Sequence, residues 1–242
     1  MPFFKKIFPP SFYTIIRGWY WKIRQLTASL CGERKMEKMW ASIPRDEITK
    51  GFSNLSHPQR GLIVERISAF QPISGILEIG CGYGPNLYWL AKQFPESELV
   101  GIDINPLSIE EGHRFLMESG AFNVKLIHGK ADELQQFIDK SFDIVFTNAL
   151  LIYIAPDKIN KVIGEMFRIA RRALVLTEWH YENATEDPYG LGIYHFGHWK
   201  RNYINLLEQF IPRNKIHVTK IPEEIWPVKE WKELGYIIEA II

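Results

Sequence analysis

The chain has 242 residues, of which 46% are hydrophobic and 24% charged, so it is long enough for one large domain with a buried core. A formal net charge of +1 gives no overall reason to expect nucleic acid as a partner. The two cysteines, Cys31 and Cys81, indicate no disulfide framework, and we expect a reducing, cytoplasmic compartment.

The first 30 residues are basic and aromatic and contain no acid. Their apolar residues recur every three or four positions, which predicts one face of an amphipathic helix: Phe12, Ile16, Trp19, Ile23, Leu26 and Leu30. No apolar run reaches the ~18 residues that a membrane span needs. Three interpretations stay open: a lid over the active site, a helix in peripheral contact with a membrane, or a contact between subunits. The oligomeric state is not indicated.

The rest of the N-terminal region predicts a further short helix and then a break. Residues 33–41 have a helical pattern, and the stretch from Pro44 to Pro58 is polar and interrupted. His57-Pro58 then opens another helix. We therefore expect residues 1–58 to form an N-terminal helical extension or lid and residues 59–242 to form the main domain.

From Gly75 onward, strand and helix patterns alternate. Apolar runs predict strands at 75–80, 99–104, 124–127, 142–146 and 173–176, and helical patterns lie near 85–94, 106–119, 133–138, 156–170 and 199–211. Two more strands are expected at 215–221 and 236–242. Continuous apolar runs are typical of strands that are covered on both faces, so the pattern predicts a doubly wound α/β fold with a mostly parallel sheet.

The stretch "LEIGCGYG" from Leu77 to Gly84 predicts a ligand-binding loop. A buried strand ends there, the chain turns on Gly80, Gly82 and Gly84, and a helix begins at about Pro85. Open parallel sheets bind ligands at the carboxyl ends of their strands. Asp103 ends the next strand, where a carboxylate can accept hydrogen bonds from the hydroxyls of an adenosine ribose. These features are shared by nicotinamide-binding and other adenosyl-binding folds.

Four successive stretches resemble the motifs of class I S-adenosylmethionine-dependent methyltransferases: "LEIGCGYGPN", "VGIDINP", "IHGKADEL" and "FDIVFTNALLIYI". The resemblance covers about 75–180 and implies a seven-stranded sheet of order 3-2-1-4-5-7-6 whose last strand is antiparallel. It also implies S-adenosyl-L-methionine as the cofactor. The Asn-Pro-Pro-aromatic form that acts on the amino groups of bases is absent, which argues against a nucleic-acid target.

The resemblance assigns cofactor contacts residue by residue. The first motif implies a cradle for the methionine part and ribose, formed by Glu78, Gly80, Cys81, Gly82 and Gly84. Asp103 is implied to bind the ribose hydroxyls, and Ile104 to pack on the adenine. Ala131 and Asp132 are implied to meet the adenine edge. Asn148, Ala149 and Leu150 are implied to face the methionine and the substrate.

We expect methyl transfer to a small-molecule acceptor, with an oxygen nucleophile favoured and a sugar or lipid-like acceptor open. Transfer from a sulfonium is an in-line displacement, so a strong base is optional. A nicotinamide-dependent oxidoreductase and a non-catalytic adenosyl-binding protein remain as alternatives.

The stretch from Glu178 to Trp199 leaves the fifth strand and is rich in histidine and aromatic residues. Long loops at this edge of a sheet are often functional. His180, nearest the strand end, is the candidate general base. Candidate substrate contacts are Tyr153, His180, Tyr181, His195 and His198. We expect no metal site, because the spacing of His195, His198 and Asp187 is weak support for one.

Overall fold

The computed structural model describes residues 34–50, 53–183, 185–195 and 197–242. The predicted amphipathic helix of residues 1–30, with its three interpretations, lies outside these residues. The predicted helix at 33–41 is present as α1 (Arg34–Ala41), and the helix predicted after His57-Pro58 is present as α2 (Gln59–Ser68).

A seven-stranded sheet forms the centre of the domain. Its strands are β1 (Gly75–Ile79), β2 (Glu98–Asp103), β3 (Val124–His128), β4 (Phe142–Asn148), β5 (Ala170–Trp179), β8 (Ile216–Lys220) and β9 (Gly235–Ile241). Their order is β3-β2-β1-β4-β5-β9-β8. The strand β9 runs antiparallel to both of its neighbours, and β1 to β5 pair in parallel. The predicted order is confirmed, because β8 and β9 are the sixth and seventh strands of this sheet along the chain.

Helices cover both faces of the sheet: α3 (Pro85–Gln93), α4 (Pro106–Glu118), α5 (Ile159–Ile169), α6 (Tyr203–Leu207) and α7 (Lys229–Leu234). Successive residues of β1 point to opposite faces, so Ile76 packs with Leu87 in one core and Leu77 packs with Val162 in the other. All five residues of β1 are buried. This double covering explains why the strands read as continuous apolar runs.

The start of α4 shows how the sequence turns each strand into the next helix. Pro106 occupies the first helical turn, and the side chain of Asn105 accepts hydrogen bonds from the backbone N–H groups of Leu107 and Ser108. An asparagine cap followed by proline satisfies donors that the helix itself leaves unpaired. The chain therefore turns sharply at the carboxyl end of β2, where the site lies.

Two predicted helices were wrong in whole or in part. Residues 133–138 form turns, because the guanidinium of Arg168 binds the carbonyl oxygens of Leu134 and Phe137. The helix predicted at 199–211 is limited to α6, because the chain before it pairs as a separate hairpin of β6 (Ile193–His195) and β7 (His198–Lys200). Within the described ranges, no helix is both long enough and apolar enough to cross a bilayer.

Candidate functional site

A cavity of about 520 Å³ opens at the carboxyl ends of β1, β2 and β4. Eleven of the twelve predicted cofactor residues line it, namely Glu78, Gly80, Cys81, Gly82, Asp103, Ile104, Ala131, Asp132, Asn148, Ala149 and Leu150. Gly84 is the exception. It caps α3 with a φ of 85°, so it serves the turn into the helix, and it does not line the cavity.

The glycine loop follows β1 and uses left-handed backbone at Gly80 (φ 78°) and Gly82 (φ 56°). A Cβ on Gly80 would come within 2.9 Å of the Leu150 side chain, so glycine also allows this close approach. A Cβ on Gly82 would meet nothing within 4 Å, because this residue faces the open cavity. The loop therefore presents bare backbone to a ligand.

Asp103 joins the glycine loop to the end of β2. Its two carboxylate oxygens accept hydrogen bonds from the backbone N–H groups of Gly82 (2.8 Å) and Asn105 (2.9 Å). Burial raises the pKa of Asp103, and these hydrogen bonds act in the opposite direction. A carboxylate oxygen can accept more than one hydrogen bond, so Asp103 can also bind a pair of ligand hydroxyls.

Glu78 lies at the back of the cavity and is 1% exposed. Its Oε1 accepts a hydrogen bond from Asn86 Nδ2 at 2.6 Å, and Arg60 Nη1 donates to the other end of the Asn86 amide at 2.5 Å. Burial raises the pKa of Glu78 to about 8. Its Oε2 is buried without a hydrogen-bond partner, which indicates a site for a donor group such as an ammonium.

The opposite end of the cavity combines Ile104 with Ala131 and Asp132. The carboxylate of Asp132 lies 3.3 Å from Lys158 Nζ. Lys158 and Lys130 both bind Glu37 of α1, at 3.1 and 2.8 Å. An ionic network thus connects the predicted adenine edge to the N-terminal segment.

The turn after β4 forms a third wall. Ala149 has a φ of 55°, and its N–H donates to the carbonyl oxygen of Thr177 at 2.9 Å. A short 3-10 turn, Leu151–Tyr153, follows and brings Tyr153 to the cavity. The ring of Trp40 meets Tyr153 edge-on at a centroid distance of 4.8 Å. Burial raises the pKa of the Tyr153 phenol, so the hydroxyl stays protonated.

His180, the predicted general base, does not line the cavity. It is 2% exposed, and its Nδ1 accepts a hydrogen bond from the backbone N–H of Tyr203, at the start of α6. Burial lowers its pKa to about 4. The strand β5 extends to Trp179 and carries His180 away from the cavity, so its position gives the predicted role no support.

The other predicted substrate residues divide into two groups. Tyr153 lines the cavity, and its ring lies 4.9 Å from that of His198, which in turn contacts Trp179 at 4.8 Å. His195 joins this aromatic cluster through Trp179, behind the cavity wall. Tyr181 lies apart, where its hydroxyl donates to Glu186 and Lys200 lies over its ring.

The carboxylate of Asp187 accepts hydrogen bonds from the backbone N–H groups of Gly192 and Asn202. Over the described ranges, no cluster of three or more His, Cys, Asp or Glu side chains could hold a metal ion. Cys81 is a buried free thiol whose pKa burial raises well above its usual range, so it is not an activated nucleophile.

The segment before β1, part of the expected lid, lines the cavity through residues that the sequence did not single out. The cavity is also lined by Arg60 of α2. The lining residues of the segment itself are Glu37, Trp40, Ile43, Pro44, Glu47, Ile48, Lys50 and Ser53. Asn105 Nδ2 donates to the carbonyl of Ile43, and the Tyr83 hydroxyl donates to that of Ser53. These contacts join residues that are distant in sequence, and the one local signal is a helix with a tryptophan just before the break at Pro44.

One family profile and several known proteins are similar to parts of this chain. A family profile described as a methyltransferase domain matches residues 76–173. An uncharacterised protein of Rickettsia prowazekii is 27% identical over 119 residues, which are 46% of this chain and 47% of that protein. Demethylmenaquinone methyltransferase of Listeria welshimeri is 28% identical over 142 residues, which are 57% of this chain and 59% of that protein. The chain thus spans about half the length of these curated relatives.

Among solved structures, magnesium protoporphyrin IX methyltransferase of Synechocystis, with S-adenosylhomocysteine bound, superposes with a TM-score of 0.62 at 15% identity. The match covers 86% of this chain and 98% of that one. The fold places an open cavity at the carboxyl edge of a Rossmann-like sheet, as in these methyltransferases. Residues 76–173 therefore match the methyltransferase-domain family, and the chain has the fold of S-adenosylmethionine-dependent methyltransferases.

The residues present fit S-adenosylmethionine as the cofactor. Glu78 Oε2, which has no hydrogen-bond partner, can accept a hydrogen bond from the ammonium of the ligand. The open space over Gly82 leaves room for the body of the ligand, and the carboxylate of Asp103 can bind the ribose. The Oδ1 of Asn148, also buried without a partner, faces the same cavity. The assignment of each residue to one part of the cofactor stays a prediction.

Proposed function

We propose that the protein transfers a methyl group from S-adenosylmethionine to a small-molecule acceptor, with an oxygen nucleophile favoured. One observation carries the proposal: a single cavity contains both the glycine loop and the turn that bears Asn148 and Tyr153. A donor held on the loop and an acceptor held on the turn are then close enough for an in-line displacement.

The bound cofactor supplies an electrophilic methyl group on a sulfonium. The residues of the chain bind the two reactants, orient them and exclude water. Among the described residues that line the cavity there is no histidine. This favours an acceptor oxygen that ionises readily by itself, such as a phenol or a carboxylic acid, and the protonated Tyr153 hydroxyl can donate a hydrogen bond to it.

The walls of the cavity favour an apolar acceptor. Trp40, Ile43, Ile48 and Ile154 line it beside Tyr153. Apolar walls with a few polar groups are typical of sites for small organic ligands. One relative is named for demethylmenaquinone, so a quinol with a phenolic hydroxyl is the first acceptor that we would test. A lipid-linked or sugar-linked phenol is the next.

The test uses S-adenosylmethionine with an isotope-labelled methyl group and a panel of quinols, phenols, carboxylic acids and amines. We expect S-adenosylhomocysteine and a labelled methyl ether or ester in equal amounts. The NMR shift of the methyl carbon identifies the atom that received it. Transfer to carbon or nitrogen alone contradicts the proposed oxygen acceptor, and no transfer to any class contradicts the small-molecule acceptor.

We also propose that the N-terminal region acts as a lid and that the protein works in the reducing cytoplasm. Eight of the described residues between Glu37 and Ser53 line the cavity, which supports this role. The reduced, buried Cys81 is consistent with this compartment. Contact of residues 1–30 with a membrane surface stays a proposal as well.

A further inference from the structure

The turn that follows β4 has few backbone hydrogen bonds of its own, although it forms one wall of the cavity. Its N–H groups at Leu150, Leu151 and Ile152 point away from the cavity. They donate to one side chain, Glu178, at 3.1, 3.0 and 3.2 Å. The turn therefore depends on a residue of the neighbouring strand β5 for its shape.

Glu178 is fully buried and does not line the cavity. Besides the three backbone donors, its Oε1 accepts a hydrogen bond from the Thr147 hydroxyl at 2.8 Å. A carboxylate surrounded by four donors is a rigid support, because each donor would be left unpaired and buried without it. Burial nevertheless raises its pKa, to about 7.

Arg201 holds the carbonyl side of the same turn. Its guanidinium is fully buried, with Nη1 donating to the carbonyl of Leu151 and Nη2 to that of Ile154. Its Nε donates to the carbonyl of Leu191 at 3.2 Å, which connects the turn to the loop before β6. The planar fork of arginine satisfies several acceptors in one fixed geometry, which lysine cannot reproduce.

We propose that Glu178 and Arg201 are positioning residues for methyl transfer, since together they fix the turn 149–154 against the acceptor. Glu178 binds the N–H groups of the turn and Arg201 binds its carbonyl groups. These contacts, on the side of the turn away from the cavity, fix the orientation of Leu150 and Tyr153. The proposal rests on the proposed function, in which the acceptor binds beside this turn. A displacement of about 1 Å in such a wall is enough to slow a reaction that needs in-line alignment.

This role differs from that of the glycine loop. The N–H of Gly80 donates to the carbonyl of Ile102 and the N–H of Gly82 to the Asp103 side chain, and neither bond involves Glu178 or Arg201. Loss of either positioning residue should therefore disturb the acceptor wall most, since the cofactor half shares only Ala149 and Leu150 with this turn. A residue needed only for folding would disturb both halves together.

The first experiment measures hydrogen exchange in the full chain for E178Q, R201K and the control E182Q. Glutamine is nearly the same size as glutamate but accepts fewer hydrogen bonds, and Glu182 is an exposed acid whose Oε1 instead accepts from the Tyr236 hydroxyl. We expect amides 150–152 to exchange at least about tenfold faster in E178Q and R201K. The helix α3 should exchange as in the wild type, and the affinity for S-adenosylhomocysteine, measured by calorimetry, should stay within about twofold of the wild-type value. The control should resemble the wild type throughout.

The second experiment measures turnover with S-adenosylmethionine and an acceptor from the panel above. We expect kcat to fall at least about tenfold in both variants, with the KM for S-adenosylmethionine within about twofold of the wild type. Unchanged exchange at 150–152, or a parallel loss of S-adenosylhomocysteine affinity, overturns the proposal. The exchange measurement needs no acceptor, so it decides the point even if no member of the panel is methylated.

Discussion

At Asp103, one carboxylate serves both the glycine loop and the predicted ribose site. Its oxygens already accept the N–H groups of Gly82 and Asn105, and it lines the cavity. Charge-assisted hydrogen bonds contribute roughly 1.5–3 kcal/mol each, so Asp103→Ala should weaken S-adenosylhomocysteine binding by at least about tenfold. Calorimetry checks this, with the exposed Glu96→Ala as the control. Equal affinity in a folded Asp103→Ala protein would refute the role.

Asp143 contributes to stability rather than to the site. Its carboxylate accepts hydrogen bonds from the N–H and hydroxyl of Ser74, both at 2.7 Å, and from Arg171 at 2.7 Å. Burial raises the pKa of Asp143, but these hydrogen bonds outweigh it and hold the pKa at about 2. A pKa that is depressed in the folded state stabilises the protein above the unfolded pKa, and this stability is lost as the pH falls toward 2.

We therefore expect Asp143→Asn to lower the free energy of unfolding by about 2 kcal/mol at neutral pH. The difference from the wild type should shrink as the pH falls from about 4 to about 2, because the wild-type carboxylate then becomes protonated. Urea titrations over this pH range measure it. Asp139→Asn, at a side chain that is 72% exposed, provides the control. If the difference in unfolding free energy between the wild type and Asp143→Asn does not depend on pH, the charge of the carboxylate is not its source.

At the scale of elements, ion pairs connect α1 to the rest of the domain. Glu37 binds Lys130 and Lys158 with partly exposed side chains, and such pairs contribute roughly 0.2–1 kcal/mol each. Glu37→Gln should therefore speed the release of S-adenosylhomocysteine by about two- to fivefold, if α1 closes the cavity. Added salt should speed release from the wild type and have little effect on the variant.

Stopped-flow tryptophan fluorescence can follow this release, because Trp40 lines the cavity. Glu118→Gln changes an exposed acid at the end of α4 and should behave as the wild type. Equal release rates from the wild type and Glu37→Gln at low salt would mean that the ionic network does not hold α1 closed.

The elements that the sequence predicts well are those with a strong local pattern. The buried strands β1 and β4 read as apolar runs, and the glycine loop follows directly from its own residues. The hairpin of β6 and β7 was not predicted, because strands of three residues are too short to show a period. The turns at 133–138 depend on Arg168, which lies more than 30 residues along the chain.

The same distinction applies to the site. Motif residues such as Asp103 could be predicted because the contacts that define them are local or lie at consecutive strand ends. Glu178 and Arg201 act on a turn that lies 26 and 50 residues earlier in the chain, so no local pattern identifies them. His180 was chosen for its chemistry at a strand end, but β5 continues three residues past the predicted end at 176, and His180 does not line the cavity.

At the scale of the whole molecule, the site is assembled from two regions of the chain. The cofactor half lies within the matched residues 76–173, whereas Glu37, Trp40 and Arg60 come from the segment before them. Residues outside a shared domain are free to differ between relatives that share the cofactor. The described segment before residue 76 therefore contributes to the site without being part of the matched domain.

The choice between S-adenosylmethionine and a nicotinamide cofactor can be tested on the whole protein without an acceptor. A ligand that binds only the folded state stabilises it by about 2.7 kcal/mol at 100 times its Kd, which raises the Tm of a chain of this size by roughly 5–10 °C. We expect this shift with S-adenosylhomocysteine, because the loop, Glu78 and Asp103 are already arranged around the cavity.

NADH should produce no comparable shift, because α3 begins with Pro85, which has no N–H to offer a pyrophosphate, directly after Gly84. The measurement is a thermal melt of the wild type with each compound, repeated on Asp103→Ala, where the shift with S-adenosylhomocysteine should become smaller. A shift with NADH and none with S-adenosylhomocysteine would contradict the cofactor, since mass action stabilises the fold only through the ligand that the cavity binds.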